Sequence, residues 1–208
     1  MSGSLAIVVC GPQLEVAFKG PEQAVASFVR LAGVSPRSTL VLAAADLLVE
    51  DAGLEPSAID RVLVSRGPGS FTGIRAGIAT AQGLAAATGA EIVAYDSLLV
   101  QAARCGGAAV VWTAQPGRRG EVYGQAFEVV QGKAPAPRGV VEVLAIESLG
   151  EERQWIASDA LNLENAHRAT PVRSAAEALL LLDGLGAQPQ PVEPLYVEGP
   201  PIQPPKAK

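Results

Sequence analysis

The stretch that most restricts how this chain can fold is Ser65-Arg66-Gly67-Pro68-Gly69-Ser70, a glycine-rich turn between a short apolar run and a long alanine-rich one. Arg61–Ser65 reads as a strand, Gly67–Gly69 as a tight loop, Phe71–Thr88 as a helix stopped by Gly89, and Glu91–Tyr95 as a second strand. Strand, helix and strand in that order argue for parallel strands joined by a crossover helix, and hence for an α/β lobe. A glycine-rich turn entering a helix presents free backbone N–H groups, so phosphate binding has to be weighed. The spacing argues against it. A Walker loop needs Lys-Ser/Thr after its last glycine, where Ile74-Arg75 stand, and the dinucleotide pattern needs a glycine where Thr72 stands. The turn therefore reads as structural, with Ser70 or Thr72 capping the helix.

Around this unit the chain divides in two. Leu5–Cys10 and Gln13–Phe18, joined at Gly11-Pro12, read as a β-hairpin. Glu22–Leu31 fits either a third strand or a short helix, and Ser38–Ala52 reads as a helix ended by Gly53. Asp96 or Ser97 can cap a further helix running to Arg104. Gly106-Gly107 is a natural hinge, which sets a first lobe over residues 1–105 and a shorter second lobe over 106–208. The second set has strand candidates at Ala108–Thr113, Glu121–Val130, Gly139–Val143 and Arg153–Ala157, then a helix at Ser174–Leu182. After Gly186 come seven of the sixteen prolines, the composition of an extended strap.

Composition removes several function classes. Hydrophobic residues are 49% of the 208 and charged residues 18%, which excludes a disordered chain. The formal charge of −5 has the wrong sign for a surface that grips phosphate backbones, and basic residues pair closely only at Arg118-Arg119 and at the tail lysines Lys206 and Lys208. Cys10 and Cys105 lie far apart without metal-ligand spacing and read as reduced core thiols; no metal or cofactor is expected. No apolar run approaches the about 18 residues of a membrane span, so a soluble, cytoplasmic protein is expected. Nucleophilic catalysis finds no support, because Ser70 is not in a G-x-S-x-G elbow and the single histidine, His167, lies in a polar, loop-like stretch. Glu50-Asp51 and Glu151-Glu152 are adjacent pairs that diverge in any regular element. No catalytic residue is assigned.

The helices carry the stronger anomaly. Between Leu40 and Val49 only Asp46 is polar, and between Phe71 and Ala87 the long polar side chains are Arg75 and Gln82. A helix apolar nearly all round is buried on more than one side. Gly73, Gly77 and Ala81 recur every four residues, as do Ala76, Thr80 and Leu84, giving ridges flat enough for close helix approach, and retaining Gly73, Gly77 and Gly83 at the cost of interior glycine suggests a packing benefit. Either the second lobe and tail cover the outer surface of these helices or a partner protein does. Left uncovered, such a surface can also pair with itself about a two-fold axis.

The run Gly67-Pro68-Gly69-Ser70-Phe71-Thr72-Gly73-Ile74-Arg75-Ala76-Gly77, followed by Ala79-Thr80-Ala81-Gln82-Gly83-Leu84 and Tyr95-Asp96-Ser97-Leu98, resembles the TsaB (YeaZ) family. Weaker echoes are Arg118-Arg119-Gly120-Glu121-Val122-Tyr123 and Pro194-Leu195-Tyr196. The resemblance implies a two-lobed actin-like (ASKHA, RNase H-like) fold of mixed sheets flanked by helices. It implies a non-catalytic subunit in bacterial tRNA threonylcarbamoyladenosine (t6A37) synthesis, paired with a TsaD-like paralogue, joined by a TsaE-like ATPase, and meeting tRNA mainly through these partners. The family associates through the two helices matching Ser38–Ala52 and Phe71–Thr88. That places Leu40, Ala44, Leu47, Leu48, Gly73, Ala76, Gly77, Thr80, Ala81 and Leu84 on the candidate partner face.

The chain also departs from the family pattern. The first strand ends Val8-Val9-Cys10 where the family has Asp-Thr-Ser, Gln115-Pro116-Gly117 replaces the aspartate before the arginine pair, and Glu198 takes the place of a closing arginine. The rival reading is an ATP-hydrolysing enzyme of the same fold with nucleotide between the lobes. It needs acidic and hydroxyl groups near the first hairpin, and those are replaced. A peptidase reading would require a metal-ligand histidine pair that a single histidine cannot supply.

Overall fold

The computed structural model describes residues 3–11, 13–32, 37–150, 152–157, 161 and 167–199. Two five-stranded mixed sheets form the frame. In the first, β1 (Gly3–Val8), β2 (Gln13–Lys19) and β3 (Ser27–Ala32) make an antiparallel meander, and β4 (Ile59–Ser65) and β5 (Glu91–Tyr95) add parallel to β1, giving the order β3-β2-β1-β4-β5. The ambiguous segment Glu22–Leu31 is therefore a strand from Ser27 onward, preceded by a turn. Its burial alternates residue by residue, the period of a sheet edge with one wet face.

The second sheet repeats this plan. Strands β6 (Ala109–Pro116), β7 (Glu121–Val129) and β8 (Ala136–Ala145) form the meander, while β9 (Gln154–Ala157) and the two-residue β10 (His167–Arg168) add parallel beyond β6. The order β10-β9-β6-β7-β8 is the first sheet's order read from the other end. Strand β8 runs well beyond the expected Gly139–Val143, and its burial does not alternate, because both faces of this edge strand meet solvent over most of its length.

Four helices pack on these sheets: α1 (Arg37–Asp51), α2 (Phe71–Thr88), α3 (Ser97–Ala103) and α4 (Ala175–Gly184). Helices α1 and α2 cover one face of the first sheet around Leu5, Ile7, Val16, Phe18, Val62 and Ile74. The opposite face, with Ala6, Val8, Leu63 and Val93, receives α4 through Leu179 and Leu182. Helix α3 packs on the second sheet and also against α4. The sheets change over at Gly106-Gly107, but the helices cross. The last helix of the chain completes the first sheet's core, and a helix from before the glycine pair completes the second's. Packing therefore does not divide at residues 105 and 106.

One buried carboxylate fastens this exchange. Glu15 on β2 is 4% exposed. Its Oε2 accepts the backbone N–H groups of Ala175 and Ala176 at the start of α4, and its Oε1 lies 2.9 Å from Arg30 Nε. Ser174 caps the same helix in a capping box with Glu177, and the Ala178 N–H reaches the Ser174 carbonyl. All four donors that a helix N-terminus leaves open are thus satisfied, two of them by a side chain of β2, 160 residues earlier in the chain. Among the described residues no helix is long and apolar enough to cross a membrane.

Candidate functional site

The glycine-rich turn sits at the end of the first sheet, facing the β6–β7 end of the second. Ser70 is the N-cap of α2, its hydroxyl accepting the Gly73 N–H at 3.2 Å; Thr72 lies inside the first turn and does not cap. Gly67 has φ 111°, and a Cβ there would run into the carbonyl oxygen of Leu195, so the tail can cross directly over the loop. The Tyr95-Asp96-Ser97 segment holds the loop from beneath. Asp96 Oδ1 accepts Arg66 Nε at 2.6 Å, the Ser97 hydroxyl accepts the Gly67 N–H, and the Ser97 N–H donates to the Gly67 carbonyl. Asp96 is the N-cap residue of α3, but no side-chain bond caps this helix; its carboxylate is committed to Arg66 instead. Tyr95 donates to Asp183 of α4, and burial followed by the Asp183 charge pushes its phenol up to about 12.

Under the loop, Cys10 is buried with its Sγ 3.1 Å from both the carbonyl and hydroxyl oxygens of Ser65. Burial pushes this thiol up, which keeps it protonated and suits a packing role. Cys105 is partly exposed, so it is not the core thiol expected. His167 lies exposed on β10, not in a loop, and Glu50, Asp51 and Glu152 are exposed. Among the described residues no group of three or more His, Cys, Asp and Glu side chains gathers as a metal site.

Two concave features involve the segments that the sequence singles out. One is a cleft of about 280 Å³ between the two sheets, lined by Pro68–Phe71 after β4, Pro116–Arg118 and Tyr123 of the β6–β7 hairpin, and residues 195–199 of the tail. The glycine-rich motif and the two weaker echoes of the sequence, around Arg118–Tyr123 and Pro194–Tyr196, therefore converge on one place. Tyr123 donates to Glu198 Oε2 at 3.2 Å, and burial together with this bond pushes its phenol up. These segments lie far apart in the chain, and nothing local in the sequence signals that they meet.

The other is an open groove of about 730 Å³ between the outer faces of α1 and α2. Thr39 and Leu42 line it from α1, and Ala76, Ala79, Thr80, Gly83, Leu84 and Ala87 from α2, with no charged side chain among them. Of the ten expected partner-face residues, Ala76, Thr80 and Leu84 line this groove, and Leu47 is 57% exposed nearby on α1. Leu40 is partly buried and packs on the core. Ala44, Leu48, Gly73, Gly77 and Ala81 face inward and are buried. Of the two every-fourth-residue ridges of α2, Ala76, Thr80 and Leu84 line the groove, whereas Gly73, Gly77 and Ala81 face the sheet. A Cβ at Gly73 would collide with the Val9 carbonyl, and one at Gly77 would touch the Val9 and Val64 side chains, so these glycines bring α2 onto β1 and β4, not onto another helix. Gly83, by contrast, has nothing within 4 Å of a built Cβ and opens onto the groove.

Comparison with known proteins accounts for this arrangement. Residues 34–168 match the family model "TsaD: tRNA N6-adenosine threonylcarbamoyltransferase". The chain is 29% identical over 140 residues to the Escherichia coli tRNA threonylcarbamoyladenosine biosynthesis protein TsaB, a match covering 66% of this chain and 61% of that protein, less than two thirds of its length. It is also 29% identical over 160 residues to an uncharacterized protein of Mycobacterium tuberculosis, covering 74% of this chain and 71% of that one. YeaZ from Pseudomonas aeruginosa superposes with a TM-score of 0.74 at 25% identity, over 95% of this chain and 100% of that one. On these matches, and with the glycine-rich motif, the chain belongs to the TsaB (YeaZ) family.

Proposed function

We propose that this chain is a non-catalytic subunit in tRNA threonylcarbamoyladenosine synthesis that docks a TsaD-like catalytic paralogue in the α1–α2 groove, with a TsaE-like ATPase joining the assembly. The observation that carries the reading is the groove itself. It is broad, uncharged, and built from small side chains on two helices whose other faces are already buried in the first sheet's core. Small residues let a partner helix approach closely, and desolvating them costs little because none carries a charge. The net charge of −5 suits a subunit that meets tRNA through partners. At the end of β1, the buried, apolar Val8 stands where an ATP-hydrolysing relative would need a carboxylate, which favours the scaffold reading over the enzymatic one.

The test is co-purification of the tagged chain with the TsaD-like protein of its own host, with light scattering of the mixture and a t6A assay. Ala76→Arg places a charge in the groove and is expected to abolish the complex while leaving the circular dichroism and thermal midpoint of the chain intact. Ala81→Arg is not a usable probe, because Ala81 is fully buried. A wild-type complex unaffected by Ala76→Arg would exclude this surface. Self-association of the isolated chain through the same groove would disappear in the same variant.

A further inference from the structure

The residues after α4 cross from one lobe to the other. Ala187 is buried against the α4 core, Gln190 bridges Ala94 on the free edge of β5, and the Leu195 N–H donates to the Arg66 carbonyl at 2.8 Å. Tyr196 then stacks on Phe71, the first residue of α2, with ring centroids 5.1 Å apart. Residues 198–199 reach the second sheet's β6–β7 hairpin. Glu198 Oε1 lies 3.2 Å from Arg118 Nη1, its Oε2 accepts the Tyr123 hydroxyl, and Arg118 Nη2 donates to the Gly199 carbonyl at 3.0 Å.

The cleft wall contains two charged side chains, Arg118 and Glu198, and they face each other. A guanidinium and a phenol holding the two oxygens of one carboxylate is the way a protein holds an external anion. We infer that Arg118 and Tyr123 form an anion site in the inter-lobe cleft, and that Glu198 occupies it in the free chain as an internal ligand. The strap must release its ionic end before the cleft admits a carboxylate or phosphate group. The anchors are unequal in a way that permits this. The Arg118 and Glu198 side chains are 50% and 27% exposed, so the pair is only weakly stabilised and gives way to a competing anion. Leu195 and Tyr196, bonded and stacked on the first lobe, hold the rest of the strap in place. A cavity of about 280 Å³ suits a small ligand such as a diphosphate or an amino-acid-sized diacid. This inference concerns the cleft alone and stands independently of the helical groove.

The experiment is titration calorimetry of the full chain with inorganic pyrophosphate and, separately, with succinate. Wild type is expected to bind neither appreciably. Glu198→Ala is expected to bind at least one of them at least tenfold more tightly than wild type, and Arg118→Ala added to it removes the gain. Pyrophosphate alone binding identifies a phosphate ligand, and succinate alone a carboxylate; either supports the site. Equal binding by wild type and Glu198→Ala, including none by both, overturns the inference, as does a gain that survives Arg118→Ala. If Glu198→Ala fails to fold, Glu198→Gln makes the same comparison by removing the charge and keeping the shape.

Discussion

Replacing Glu15 should loosen the last helix from the first lobe more than any single surface change. Its carboxylate is 4% exposed and accepts two N–H groups at the start of α4, so Glu15→Ala removes two buried, charge-assisted hydrogen bonds and leaves two helix donors without their acceptor. At about 1.5–3 kcal/mol for a bond to a charged group, and with the two sharing one oxygen, the expected loss is about 3 kcal/mol. That is roughly a hundredfold in the folding constant, large against the about 5–15 kcal/mol that holds a domain together. Glu15→Gln keeps one acceptor oxygen in place and should cost about half as much. Urea unfolding followed by tryptophan fluorescence measures both changes. Hydrogen exchange should show α4, residues 175–184, losing protection before the strands of the first sheet do. A loss below about 1 kcal/mol for Glu15→Ala, or unchanged exchange in α4, would refute the idea that this carboxylate joins the lobes.

Two further expectations rest on single residues. Tyr95 is raised to about 12 by burial and by Asp183, against about 10 in the unfolded chain. The fold therefore favours the neutral phenol, and the stability this contributes is complete below pH 10 and lost as pH rises from 10 toward 12. Denaturation midpoints measured across that window should fall more steeply for wild type than for Tyr95→Phe, and parallel curves would show that the phenol does not contribute. Among the helical glycines, Gly83→Ala should raise stability by up to about 1 kcal/mol, or a few degrees in thermal midpoint, because a Cβ there meets nothing. Gly73→Ala should lower it, because the Cβ meets the Val9 carbonyl. Equal shifts in calorimetric scans of the two variants would contradict the packing described for α2.

Local chemistry made much of the first lobe legible. The β-branched runs, the Gly67-Pro68-Gly69 turn, the Ser70 cap and the glycine stops at Gly53 and Gly89 are short-range signals, and each determines its element whatever the rest of the molecule does. The motif from Gly67 to Gly77 was enough to indicate the family. Strand β3 was not legible, because an exposed edge strand with half its residues wet has a pattern that a short helix can also show.

What the tertiary structure decided is orientation and company. The apolar excess of α1 and α2 was visible in sequence, but a helix apolar nearly all round does not reveal which side is already buried. Only the sheet beneath it assigns Gly73, Gly77 and Ala81 to the core and Ala76, Thr80 and Gly83 to the groove. Glu15 looked like an ordinary polar position in an alternating strand, and its role depends on a helix 160 residues away in the chain. Glu198 stood out only as a departure from a family pattern, until the fold brought Arg118 and Tyr123 to its two oxygens. Propensity and capping act over a few residues, so the sequence determines the elements. Burial and ion pairing act through space, so the roles of these side chains follow from the fold.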